Sequence, residues 1–157
     1  MKKSDLKISI TLNSRLDFFS KYNVNSLSLE LKDYIMNELV GYNPNSKLTL
    51  LIDCLYDISE EDINNYESAL RKEFRETIIE TKHEAKLDLF RNLLLLVVGL
   101  FLIIFSNYLG GIYKEFVLVF GWFSLGQVAY TMFFTVTIRR RKLKRFKQIL
   151  ISNIKFK

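Results

Sequence analysis

Few of the residues able to do chemistry in this chain stand at a spacing that lets them do it. Glu80 and His83 have the Glu-x-x-His spacing of a di-iron ligand pair. Such a site needs a second pair and further carboxylates, and His83 is the only histidine. The acidic group Asp53, Asp57, Glu60, Glu61 and Asp62 lacks the glycine and terminal glutamate of a calcium loop. Carboxylates in a first helical turn follow from the helix dipole alone. Cys54, the sole cysteine, has no histidine base near it in sequence. Neither a Gly-x-Ser-x-Gly elbow nor a phosphate-binding glycine loop occurs. The residues therefore point to a protein that is not an enzyme, with no catalytic residue, metal or cofactor.

One polar residue is out of place in a different sense. Gln127 lies in the middle of GWFSLGQVAYT, inside a long uncharged run. On a helical wheel Ser124, Gln127, Thr131 and Thr135 share one face, with Gly121 near its edge, and the opposite side is mostly Phe, Val and Tyr. An amide left in hydrocarbon costs several kcal/mol at worst, and less when it finds a partner. In an antiparallel hairpin Gln127 falls near the depth of Gly99 and Leu100, where LLVVGLFLII offers no polar side chain. This stripe is expected to be an oligomer seam, or the lining of a water-filled pore.

The elements that carry the stripe are two apolar segments. Asn92–Tyr113 is free of charge over 22 residues and Phe116–Ile138 over 23, each long enough for a hydrocarbon core of roughly 30 Å at about 1.5 Å per residue. The sequence predicts a two-span transmembrane hairpin over 86–138, with spans at about 92–110 and 116–138 and a turn at Gly110-Gly111. Arg139, Arg140, Arg141, Lys142, Lys144, Arg145 and Lys147 follow the second span at once. As topology determinants they place both termini in the cytoplasm, and they suit anionic lipid headgroups. Tyr108 and Tyr113 then mark the outer interface. Trp122, deep in the second span, is expected to pack against a helix.

Charge is divided along the chain. Residues 1–91 hold 13 basic against 16 acidic side chains, and residues from Arg139 on hold nine basic and no acidic ones, so the net +6 comes from the tail. A basic tail beside a membrane span argues against nucleic-acid binding. No apolar stretch follows the N-terminal lysines, so a signal peptide is not expected.

The front, residues 1–85, reads as an α+β domain of two or three strands packed with two helices. LKISITL (6–12) alternates as a half-buried strand does. Leu27, Leu31, Ile35 and Leu39 at four-residue steps predict a helix that ends on a Gly41 cap. KLTLLIDCLY (47–56) is apolar on both faces in its middle, as a central strand is. Ser59 and Asp62 form a capping-box variant, and Ile63, Tyr66, Leu70, Phe74 and Ile78 make one apolar stripe. With no Gly or Pro between residues 59 and 98, a continuous helix through the polar stretch 80–86 into the first span is expected, with a short flexible joint there as the alternative. The basic tail, 139–157, is expected to finish in a strand around Ile154–Phe156 that pairs with the N-terminal sheet.

Architecture alone resembles the small two-span effectors of bacterial antiphage systems, which implies a cytosolic domain controlling a membrane part. The expected function is a membrane module whose cytoplasmic domain receives a small-molecule or protein ligand. Its hairpin oligomerises or changes packing, up to perturbing the bilayer. The alternatives are an accessory subunit that docks another protein and, third, a membrane-bound enzyme. Expected partners are the lipid bilayer and further copies or a membrane complex.

Overall fold

The computed structural model of the chain describes residues 6–21 and 23–157. They form an α+β architecture with a small parallel sheet and two long apolar helices. The chain divides into two compact units, residues 1–79 with 141–157, and residues 80–140.

The first unit is built on a three-stranded sheet of order β1-β4-β5, with β1 at Leu6–Leu12, β4 at Leu48–Cys54 and β5 at Asn153–Phe156. Both pairings are parallel. Leu6 pairs with Leu48 through to Leu12 with Cys54, and Thr49 with Asn153 through to Ile52 with Phe156. The alternation in β1 buries Leu6, Ile8, Ile10 and Leu12 and leaves Lys7, Ser9 and Thr11 exposed, so one face meets the core and one does not. β4 is central and has no exposed residue, which is why its sequence is apolar in both registers. A separate hairpin joins β2 (Phe19–Ser20) to β3 (Asn23–Leu27), after the single turn of α1 (Arg15–Phe18). Asp17 accepts the backbone N–H groups of Asn13 and Ser14 at 2.8 and 3.0 Å and so closes the start of α1.

α2 spans Leu29–Glu38 and starts on Ser28, whose hydroxyl accepts the Leu31 N–H at 3.2 Å. The helix does not end on a glycine cap as the sequence suggested. A 3-10 turn over Leu39–Gly41 closes it, and Gly41 does not take positive φ. Leu27 belongs to β3 and not to the helix, yet it joins Leu31, Ile35 and Leu39 in the core because the chain turns at Ser28 without changing face.

α3 runs unbroken from Glu60 to Ser106. Ser59 caps it by accepting the Asp62 N–H at 3.1 Å, while Asp62 takes the Ser59 hydroxyl at 2.9 Å. Along its first five turns Tyr66, Leu70, Phe74 and Ile78 are buried; Leu70 and Phe74 have no exposed surface. Complete burial of a side chain of this size is worth about 1.5–3 kcal/mol, so this stripe is a main anchor of the unit. α4 covers Gly111–Tyr130, a π turn covers Thr131–Thr135, and α5 covers Val136–Leu150. The end of α5 is part of the first unit: Phe146 and Ile149 lie in its core, with Leu143 and Leu150 packed on it. Residues 141–157 are therefore part of the α+β unit; the sequence reading grouped 139–157 as a basic tail whose last strand pairs with the N-terminal sheet, and β5 does pair with β4. Arg71 fixes this closure by donating to the carbonyls of Leu150 and Ser152.

Candidate functional site: the apolar helix pair and its polar stripe

The chain has two helices long and apolar enough to cross a membrane, Glu60–Ser106 and Gly111–Leu150, with mean hydropathy 2.4 and 1.5 in their most apolar windows. Gly111, at φ +60°, starts α4; it is the only described residue with positive φ, a conformation that glycine adopts without a Cβ penalty.

The two helices are in close contact where each carries a glycine. A Cβ placed on Gly121 would lie 2.7 Å from Ile103 Cγ1 and 3.1 Å from the Gly99 carbonyl oxygen. One on Gly99 would lie 3.1 Å from Ser124 Cβ and 3.2 Å from the Gly121 carbonyl oxygen. Each helix thus presents bare backbone to the other, the small-residue packing that lets apolar helices associate without a hydrophobic driving force. This contact sets the register. Gly99 is level with Gly121, Ser124 and Leu125, two to six residues before Gln127.

The five stripe residues separate accordingly. Gly121 and Thr131 are buried, Ser124 and Thr135 half-buried, and Gln127 is exposed. The Ser124 and Thr131 hydroxyls donate to the carbonyls four residues back, Phe120 and Gln127, both at 2.9 Å, and so need no other partner. The side-chain amide of Gln127 has no such bond among the described residues. Trp122, expected to pack against a helix, is 62% exposed. It stands next to the buried Gly121, about 100° round the helix and away from the contact. Phe123 and Phe133, each 74% exposed, extend the same outward apolar surface.

The π turn was not foreseen. Its extra residue rotates everything beyond Thr131 relative to a regular helix, and a single insertion of this kind has no composition of its own to betray it.

Arg139 and Arg145 are half-buried, whereas Arg140, Arg141, Lys142, Lys144 and Lys147 are exposed. Arg139 donates to Asp88, which also pairs with Arg91 at 3.0 Å. The Arg139 hydrogen bond holds the Asp88 carboxyl below the usual carboxylate range. Sequence reading missed this pair, although a signal was present. Asp88 is the last acid before one apolar run and Arg139 the first base after the other, at matching ends of an antiparallel pair. Arg145 donates to the Val40 carbonyl at 2.8 Å, and Gln148 to that of Ser46 at 2.8 Å. The five exposed cations line the outer side of a helix whose inner side is core.

The residues weighed for metal or nucleophilic chemistry are not brought together. Among the described residues no group of three or more His, Cys, Asp or Glu side chains converges. Cys54 is half-buried in β4, where desolvation raises its thiol pKa. Tyr56 hydrogen-bonds Tyr66 hydroxyl to hydroxyl at 3.0 Å, and burial raises the Tyr56 pKa well above the ordinary phenol value. Compared with protein-family models, curated proteins and solved structures, the chain matches none.

Proposed function

We propose that this chain is a two-span membrane module without enzymatic activity. Its α+β unit, on the cytoplasmic side, receives a ligand or partner, and its helix pair self-associates in the bilayer. The observation that carries the reading is the outward face of the helix pair. Only 17% of each apolar window is buried within the chain, whereas a core helix of a water-surrounded protein is mostly covered. Leu93, Phe101, Ile104, Phe120, Phe123 and Phe133 each keep more than half their surface exposed. In water each would forfeit about 1.5–3 kcal/mol of burial; in lipid that cost vanishes.

Self-association follows from Gln127. Ser124 and Thr131 bond to their own helix, whereas the exposed Gln127 amide and the half-buried Thr135 hydroxyl have no side-chain hydrogen bond among the described residues, and the amide is the larger polar group left facing outward. That amide has two donors and an acceptor, so two copies related by a twofold axis satisfy each other reciprocally. This favours a packing seam over a pore lined by the whole stripe. The exposed cations from Arg140 to Lys147 retain both termini on the cytoplasmic side and lie against anionic headgroups.

The test is Gln127→Leu in the full-length chain, with oligomer size read by single-molecule photobleaching in liposomes. The loss of an interhelical amide bond of about 1 kcal/mol weakens dimerisation roughly fivefold. An unchanged distribution removes the seam. Purification of the chain as a dispersed monomer without detergent removes the membrane reading itself.

A further inference from the structure

The α+β unit contains a cavity of about 670 Å³ that owes nothing to the helix pair, a volume within the range of small-molecule sites. One side is the first turns of α3. Asp62, Asn65, Tyr66, Ala69 and Lys72 stand at i, i+3, i+4, i+7 and i+10 and so share one side of the helix, about 15 Å from Asp62 to Lys72. The opposite side is the α1–β2 corner, with Arg15, Leu16, Phe19 and Lys21.

Its charge is unlike its surroundings. Three cations (Arg15, Lys21 and Lys72) and one carboxylate (Asp62) line it, a local excess of +2 in a front half whose net charge is −3. Asp62 is already committed. It takes the Ser59 hydroxyl at 2.9 Å and Arg15 at 2.8 Å, which holds the Arg15 guanidinium in place while leaving that side chain 63% exposed. Lys72 is 65% exposed, and its carboxylate neighbour Glu76 is 4.0 Å away, a weak contact. Between the cations the lining is apolar. Leu16 is 66% exposed, and Phe19 is half-buried with its ring edge-on to Tyr66 at 5.0 Å. Phe18 stacks on Tyr66 at 4.5 Å and fixes the wall from behind.

We infer that this cavity binds an organic phosphate monoester about the size of a nucleoside monophosphate. A phosphate monoester carries about −1.5 to −2 charges at neutral pH, matching the local excess. The oriented Arg15 fork donates to two phosphate oxygens while Lys21 and Lys72 act as point charges. The apolar body of the ligand covers Leu16 and Phe19. Such a ligand gives chemical identity to the receiving role proposed above, and its signalling purpose rests on that reading, although the binding does not.

The experiment uses the full-length chain in phosphatidylcholine nanodiscs, titrated with adenosine monophosphate and, separately, with inorganic phosphate by calorimetry. The expected result is saturable one-to-one binding of the nucleotide and weaker binding of phosphate at the same site. Arg15→Gln and Lys72→Gln should each weaken the nucleotide about tenfold, the scale of one charge-assisted hydrogen bond. Lys72 is exposed enough that its replacement leaves the fold intact. Doping the discs with phosphatidate distinguishes the source of the phosphate: displacement of the nucleotide assigns the site to a lipid headgroup, and no displacement to a free metabolite. The inference is overturned if no saturable binding is seen at millimolar nucleotide. It is equally overturned if binding survives both substitutions and disappears when Arg140, Arg141, Lys142 and Lys144 are neutralised. Failure here with an intact effect of Gln127→Leu leaves the membrane reading standing. Binding that leaves oligomer size unchanged removes the receiving role and keeps the site.

Discussion

Replacing Gly121 by alanine tests the helix-pair contact directly, because one added methyl group has a defined set of neighbours. The new Cβ would stand 2.7 Å from Ile103 Cγ1, 3.1 Å from the Gly99 carbonyl oxygen and 3.3 Å from the Ile103 backbone nitrogen. The first neighbour is a side chain able to rotate, but the other two are backbone, so the helices must separate by several tenths of an ångström. Overpacking of this kind costs about 1–3 kcal/mol. Alanine also favours a helix over glycine by up to about 1 kcal/mol, which would mask part of the loss. Gly126→Ala supplies the correction. Gly126 lies in the same helix, and its added Cβ would meet nothing within 4 Å. The propensity gain is common to both variants, so their difference isolates the steric cost. Unfolding in sodium dodecyl sulfate, followed by the fluorescence of Trp122, the only tryptophan, should place Gly121→Ala about 1–3 kcal/mol below Gly126→Ala. Equal stabilities for the two variants would refute the close approach, and with it the register that turns Gln127 outward.

Two further outcomes follow from the same unit. Gly111→Ala forces a side chain into φ +60° and should cost about 1–2 kcal/mol in the same assay, while Gly110→Ala, at φ −108° with nothing within 4 Å, should be close to neutral. The folded Asp88 carboxyl is held below its ordinary pKa, so its contribution is present above the unfolded value, about 3.9, and is lost as the pH falls through the lowered one. Asp88→Asn should therefore flatten the acid limb of a stability–pH curve below about pH 4. It should not abolish that limb, because Asp17 and Asp62 are lowered as well. A limb unchanged by the substitution would show that the Arg139 pair is not formed.

What the sequence revealed and what it hid divide along physical lines. Periodic burial was legible. The alternation of β1, the doubly apolar β4 and the Tyr66–Ile78 stripe are local patterns that their final environments impose on composition. The hydroxyl–carboxylate box at Ser59–Asp62 was legible for the same reason. An equivalent motif in NSRLD, which starts α1, went unread because the helix it caps is a single turn. Strand pairing was only partly open to inspection. A strand near Ile154 could be placed, but parallel pairing of β5 beside β4 depends on residues a hundred positions apart. Most of the cavity was hidden. Arg15 lies 47 residues from its partner Asp62, and neither is unusual in its own neighbourhood. The helical wheel put the α4 stripe on one face, but which of its members are buried depends on the contact between Gly99 and Gly121, and a helical wheel carries no information about a neighbour.

The α+β unit is discontinuous: it needs Phe146, Ile149 and β5 from beyond the apolar helices to complete the core and sheet begun by residues 6–79. During synthesis a ribosome must therefore deliver both oily segments before the front can close. Nascent chains interrupted between residues 80 and 140 keep an open sheet edge along β4 and an uncovered Phe74, whose ring lies 6.0 Å from that of Phe146 in the finished unit. Such fragments present the kind of unpaired strand edge and bare aromatic surface that proteases and chaperones recognise.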